Sequence, residues 1–266
     1  MIKNQPFFSI CIPSYNSVEL LSRSIKSIQK QSFNDYEIII SDDSEDENVL
    51  IFYNSLKDKR INYFKHKSVI NATENWNFAL IKAKGKYRIL LHHDDYFSNN
   101  LILEGIYNDF LNNGEMMVYF LNFINEDKIS KFYYGKFSID QIFKYPETLL
   151  YVNYFSTPSC LILNQKVNLL YNEKLKWLVD VDLYSRLFKK FKKIKFMADK
   201  SMFIGSGDKR ITNTILKKEI LEEFYLLTQK KIFRFKLGIC FIQLMKFKII
   251  LFGYFKFKLK QFRIFS

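Results

Sequence analysis

The sequence predicts an α/β chain: a mostly parallel, Rossmann-like central sheet flanked by helices, followed by a helical, basic and aromatic C-terminal tail. Three observations carry that expectation. Short apolar runs alternate with helical stripes in the order βαβαβαβ between Phe7 and Leu111, the pattern of parallel strands joined by crossover helices. Two acidic doublets, Asp42-Asp43 and Asp94-Asp95, each close a buried-looking strand, where open α/β sheets bind ligands. Finally, Lys217 to Ser266 holds twelve Lys/Arg against three acids, so +9 of the chain's +14 sits in its last fifth. Domains are therefore expected at 1–213 and 214–266.

The first strand is the run Phe7–Ile12, ended by Pro13. A helix over Glu19–Gln31 follows from the stripe Leu20, Leu21, Ile25 and Ile28. Glu37–Ser41 reads as the second strand, Val49–Leu56 as a helix and Ile61–Phe64 as the third strand. Thr73 is the expected N-cap of a helix over Thr73–Ala83, with Gly85 as its stop. Tyr87–Leu91 is the fourth strand, and Leu101–Leu111 a helix ended by Asn112-Asn113-Gly114. The pattern then weakens. Met116–Phe123, Ser159–Leu163 and Ile194–Met197 read as strands, and Val181–Phe188 and Ile215–Leu227 as helices.

With 266 residues and 48% hydrophobic content, the chain has material for one large core. The charge of +14 implies an anionic partner. Cys11, Cys160 and Cys240 are scattered in apolar surroundings, so neither a zinc site nor a disulfide framework is expected, and a reducing compartment is. The run before Pro13 is too short for a signal peptide, and no uninterrupted apolar stretch reaches the ~20 residues of a spanning helix.

Carboxylates at two strand ends suit a divalent cation that bridges to phosphates, because hard cations take oxygen ligands. Tyr15, in the loop Pro13-Ser14-Tyr15-Asn16, offers a ring to a flat nucleobase. A carboxylate in Asp42-Asp43-Ser44 can accept an imide N–H, which favours uracil or thymine. His92-His93-Asp94-Asp95 suits Mn²⁺ or Mg²⁺ on a departing diphosphate. Of the adjacent histidines only one faces such a site easily, and packing or a supporting role suits His92 better than ligation.

Taken together, Pro13 to Asn16, Gln31 to Ser44, Asn71 to Asn77, Gly85 to Tyr87 and Leu91 to Asp95 resemble the family 2 glycosyltransferases in order and spacing. The resemblance is close from Phe7 to Phe110 and looser to about Phe188. It implies a GT-A fold, a nucleotide-sugar donor, a divalent metal and inversion at the anomeric carbon. Carried over, it implies that Tyr15 and Asp43 contact the base with Asp42 beside them. Pro13, Asn71, Asn75 and His93 belong to the donor site, and Asp94 with Asp95 (and His92 as a candidate) to the metal. The family's Asp-x-Asp has His92 in place of its first Asp, and its usual Gly after Asn71 is Ala72. The family's catalytic base aligns with Asp180, with Asp182 as the alternative; its usual Glu is Val179.

The implied acceptor is a hydroxyl of a growing surface glycan or a lipid-linked acceptor, at the cytoplasmic face of the membrane. The tail interleaves Phe255, Phe257, Leu259 and Phe262 with Lys256, Lys258, Lys260 and Arg263, which suits an anionic lipid surface rather than nucleic acid. A nucleotidyltransferase is the first rival, but Ser14–Leu21 has no Gly for a phosphate loop. A nucleic-acid-binding protein is the second, but its charge would form a reading module instead of an apolar tail.

Overall fold

Strand β1 (Phe8–Ser14) is buried at all seven positions and lies inside the sheet. In the computed structural model, which describes residues 5–125, 136–150, 153–155, 157–205 and 217–228, β1 pairs in parallel with β2 (Tyr36–Asp42) and β4 (Tyr87–Leu90). Pro13 does not end β1; it pairs with Ser41 of β2. Its missing N–H removes no ladder bond, because β4 already stops opposite Cys11.

The first half winds as the alternation predicts. Helix α1 (Val18–Gln29) buries Leu21, Ser24, Ile25 and Ile28, about 1.5–3 kcal/mol for each large apolar side chain. Then come α2 (Asn48–Ser55), β3 (Ile61–Lys65), α3 (Ala72–Lys82) and β4. Thr73 is not the cap of α3. Asn71 accepts from the Glu74 N–H while the Glu74 side chain returns to the Asn71 N–H, a full capping box. Gly85 lies beyond the end of α3. A Cβ there would meet the Ser9 nitrogen at 2.5 Å, so this glycine permits close approach to β1.

The second half is less regular. A two-residue strand β5 (Tyr96–Phe97) precedes α4 (Ile102–Asn113), β6 (Val118–Asn125) and α5 (Lys136–Lys144). Neither β5 nor α5 is evident in the sequence. Two 3₁₀ turns, Pro146–Leu150 and Pro158–Cys160, lead into β7 (Leu161–Asn164); α6 (Val179–Lys190) and β8 (Ile194–Ile204) follow. The sheet order is β3-β2-β1-β4-β7-β6-β8-β5. β7 runs antiparallel to both neighbours and β5 antiparallel to β8, while the other pairs are parallel.

Two aromatic clusters account for part of the high Phe content. Phe7 packs edge-on against Phe8, Phe33 and Tyr107. Phe120 stacks with Phe155, Phe188 and Phe196. The chain divides into two compact units, Met1–Ile220 and Leu221–Ser266, and the fold above is that of the first. Helix α7 (Lys217–Thr228) is the last described element, so the basic-aromatic tail and Cys240 lie outside the described residues. No described helix is long and apolar enough to cross a membrane.

Candidate active site

The C-terminal ends of β1, β2 and β4 and the N-terminus of α6 open onto one cavity of about 800 Å³. Pro13, Tyr15, Asp43, Asn75, His92, His93, Asp94, Asp95 and Asp180 line it. Asp42, Asn71 and Asp182 do not, and each is engaged elsewhere.

At the β2 end the two carboxylates divide. Asp42 is fully buried. It accepts from the Ser44 N–H (2.9 Å), the Tyr63 hydroxyl (2.6 Å) and the Lys65 ammonium (3.2 Å). It is tied into the framework and does not line the cavity, unlike the base-contacting place the sequence gives it. Asp43 faces the cavity; Oδ1 takes the Ile70 N–H at 2.9 Å, and burial raises its pKa. Tyr15 is 43% exposed and donates to Glu45 at 2.9 Å. Its loop is tied to the β2 loop by Asn16, in the left-handed region at φ 47°. The Asn16 N–H donates to Ser44 and its side chain accepts from the Glu45 N–H.

Asn71 likewise does not line the cavity; its side-chain oxygen caps α3. Asn75 does reach the cavity wall, with its amide oxygen held by the Ser41 hydroxyl beside His66.

At the β4 end the order of the doublet is reversed. Asp95 is 1% exposed; it accepts from the Gly205 N–H and the Thr157 hydroxyl, both at 3.1 Å, and from Ser159. Its burial raises its pKa. Asp94 carries no protein donor on its carboxylate among the described residues, while its backbone carbonyl accepts from Arg23 at 2.7 Å. His93 Nδ1 donates to the Pro13 carbonyl at 3.2 Å and so joins the β1 and β4 loops. The His92 ring lies 4.7 Å from that of Trp76; burial lowers its pKa, and Nε2 is buried with no protein partner.

These groups fit a divalent cation. His92, Asp94 and Asp95 each offer a ligand atom within 4.8 Å of the others, and the set is mainly anionic oxygen. Asp94 is the open carboxylate, whereas Asp95 already receives several protein donors.

Asp180 lies in the first turn of α6, one residue inside the helix, and is not its N-cap; that position is Leu178. The Asn153 amide donates to its Oδ2 at 2.7 Å, and burial pushes its pKa up to about 6. Asp182 instead pairs with Arg186 one turn on, at 2.8 Å. Asn153, Thr157 and Trp177 also line the cavity and escape notice in the sequence. Only Thr157-Pro158, a turn signal before β7, hints at that wall.

The Glycosyl transferase family 2 model matches residues 9–169. The chain is 40% identical over 93 residues to a Campylobacter jejuni protein named GalNAc(5)-diNAcBac-PP-undecaprenol beta-1,3-glucosyltransferase; the match covers 34% of this chain and 30% of that protein. It is 30% identical over 141 residues to the Escherichia coli WfgD, named a UDP-Glc:alpha-D-GlcNAc-diphosphoundecaprenol beta-1,3-glucosyltransferase, covering 53% of this chain and 54% of that one. It thus spans about a third and about half of those two relatives. An uncharacterized glycosyltransferase of Rickettsia prowazekii is 30% identical over 231 residues, covering 82% of this chain and 69% of that one. Among solved structures, Staphylococcus aureus TarS 1-349 with UDP-GlcNAc superposes with a TM-score of 0.63 at 18% identity, over 79% of this chain and 61% of that one. A Pyrobaculum calidifontis mannosyltransferase with GDP-Man and Mn²⁺ gives 0.55 at 11%, over 78% and 59%. These two likenesses concern the fold, which is GT-A. The family match covers more than half of the chain, and the protein belongs to glycosyltransferase family 2.

Proposed function

We propose that the protein is an inverting glycosyltransferase. It would move a sugar from a UDP- or dTDP-linked donor to a hydroxyl of a surface glycan or lipid-linked acceptor. One observation carries this reading: Asp43, Asp94 and Asp180, from three separate elements, meet in one cavity. Relatives named as glucosyltransferases on undecaprenol-linked glycans support the acceptor class.

In this reading Tyr15 and Asp43 receive the base, and the free oxygen of Asp43 accepts the imide N–H of uracil or thymine. Asp94 holds Mg²⁺ or Mn²⁺, with Asp95 orienting the loop and His92 alongside. When bound, the ion supplies positive charge to the departing diphosphate. Asp180 takes the proton of the acceptor hydroxyl. That oxygen forms the new glycosidic bond as the bond from the anomeric carbon to the diphosphate breaks, and the nucleoside diphosphate leaves with its electron pair. A carboxyl with a pKa near 6 is basic enough for this work and still ionised at neutral pH.

We further propose that residues 214–266 form a separate extension that holds the enzyme on the anionic inner face of the cytoplasmic membrane, where such donors and acceptors meet. The support is the +9 balance and interleaved Phe of that segment. A thermal-shift screen of nucleotide sugars, with Mn²⁺ or with EDTA, tests the central claim. A melting point raised by one base class, and only with metal, is expected. A protein indifferent to every nucleotide sugar would refute it.

A further inference from the structure

Helix α1 is not only a cover for the sheet. Two polar residues four apart on one of its faces, Arg23 and Ser27, and Gln31 just past its C-cap Lys30 all bond to the segment that follows β4. Arg23 donates to the Asp94 carbonyl at 2.7 Å, and its guanidinium lies 4.6 Å over the Tyr96 ring. Ser27 accepts the Phe97 N–H at 3.2 Å. Gln31 donates to the Asn99 carbonyl at 2.7 Å and accepts the Leu103 N–H at 3.1 Å. Residues four apart on a helix share a face, so α1 and the residue just past its end fix a ten-residue stretch by its backbone.

The strongest of these donors acts on Asp94 itself. A charged donor to a carbonyl outweighs a neutral one. Gly205, just after β8, lies against the same carbonyl beside Arg23. A Cβ there would sit 2.2 Å from the Asp94 oxygen and 3.0 Å from Arg23 Nη2, so the glycine leaves room for that bond. The Gly205 N–H also fixes Asp95 at 3.1 Å. The Asp94 carbonyl is thus held by Arg23 in a space that Gly205 keeps clear, while its carboxylate carries no described donor.

We infer that Arg23 is a positioning residue that aims the Asp94 carboxylate at the metal by gripping the Asp94 carbonyl, in a space that Gly205 keeps clear. This rests on the metal reading of Asp94 proposed above. Outer groups that orient a ligand change metal affinity by about 10–100-fold when removed.

The test is a Mn²⁺ titration by electron paramagnetic resonance in the presence of saturating UDP, on the full chain. UDP affinity in EDTA and the melting temperature are measured alongside. Arg23→Met keeps the length of the stem and removes the donor; it should weaken Mn²⁺ about tenfold or more and leave UDP affinity in EDTA unchanged. Arg23→Lys restores a cationic donor and should recover much of the loss. Gly205→Ala should also weaken Mn²⁺, because its Cβ would push into the Arg23–Asp94 bond. Gln31→Met should lower the melting temperature more than Arg23→Met but Mn²⁺ affinity less, because its bonds lie farther from Asp94. Native Mn²⁺ affinity in Arg23→Met, or an equal loss of UDP affinity in EDTA, overturns the inference. A wild-type protein that binds UDP but takes up no Mn²⁺ fails earlier, at the metal reading itself.

Discussion

After β2 the carboxylate nearer the strand, Asp42, is the buried one and Asp43 faces the cavity; after β4 the nearer one, Asp94, is open and Asp95 is buried. The reversal has a local cause. Strand β2 continues through Asp42, whose side chain therefore keeps the strand's alternation and meets Tyr63 and Lys65 of the neighbouring β3. Strand β4 stops at Leu90, and the chain turns so that the Asp95 N–H bonds the His92 carbonyl. Asp95 then points inward, to the Gly205 N–H and Thr157. A third pair divides in the same way on α6, with Asp180 toward the cavity and Asp182 held by Arg186. In the proposed reading each pair joins a carboxylate that acts on the ligands to one that holds the framework, and the two kinds should fail differently when removed.

Asp180→Asn is the sharpest cut on the chemical side. Transfer should fall about 10²–10⁴-fold with donor affinity kept, as for loss of a general base. Asp182→Asn should stay within a few-fold of native (roughly the scale of a lost surface pair); a dead Asp182→Asn beside an active Asp180→Asn would reverse the assignment. The pH profile adds a second reading. The base must be ionised, so kcat/KM should rise through about pH 6 and level off above it. The folded pKa lies above the 3.8 of an ordinary Asp, so the folded state binds the proton more tightly. This group therefore favours folding at low pH and loses that contribution as pH rises from about 4 to about 6. Asp180→Asn should accordingly melt no lower than the native protein at pH 7.5.

Asp94→Ala should cost about 10²–10³-fold in transfer, of the order of losing one preorganised electrostatic contact. It should fold normally, because no described residue donates to that carboxylate. EDTA should mimic it; a native rate in EDTA would remove the metal from the mechanism.

Asp42→Ala belongs to the framework side. It strands the Tyr63 hydroxyl and the Ser44 N–H, while Lys65 keeps the Ser44 and Asp46 carbonyls, and each buried group left unpaired costs about 1–3 kcal/mol. Chemical denaturation should show the loss as a lower midpoint. A variant with native stability but no donor binding would return Asp42 to the base site. Asn71→Ala is the smallest change, about 1 kcal/mol of stability from a lost cap. A specific defect in donor affinity without that destabilisation would contradict its assignment to the helix end.

The tail offers a separate contrast with the first unit. In a liposome sedimentation assay, full-length protein should bind anionic vesicles and resist partial release by salt, since each basic residue adds about 1 kcal/mol that salt screens and the Phe residues add an unscreened share. Protein that stays free of anionic vesicles would end the membrane reading without touching the catalytic one.

Sequence alone reached most of the first half because that half is local. Each strand from β1 to β4 is joined by its own crossover helix, so apolar period, Gly and acidic strand ends lie in reading order. It also singled out Asp43, Asp94, Asp95 and Asp180, which the structure brings to one cavity. It misread Pro13 as a strand end because the penalty for proline depends on whether a neighbour needs its N–H, and β4 had already stopped. It misread Thr73 as a cap because Asn71 and Glu74 satisfy the helix end one step earlier.

Only the tertiary structure decided which member of each acidic pair is free. That choice depends on donors far away along the chain: Lys65 for Asp42, Gly205 and Thr157 for Asp95. It also decided the second half, where β7 enters antiparallel between β4 and β6 and β5 has β8 as its strand partner. Such strands draw their stability from partners 70 to 110 residues distant, and no local period records them. The residue types at the site were written in the chain; their burial, and hence their work, was fixed by what packs against them.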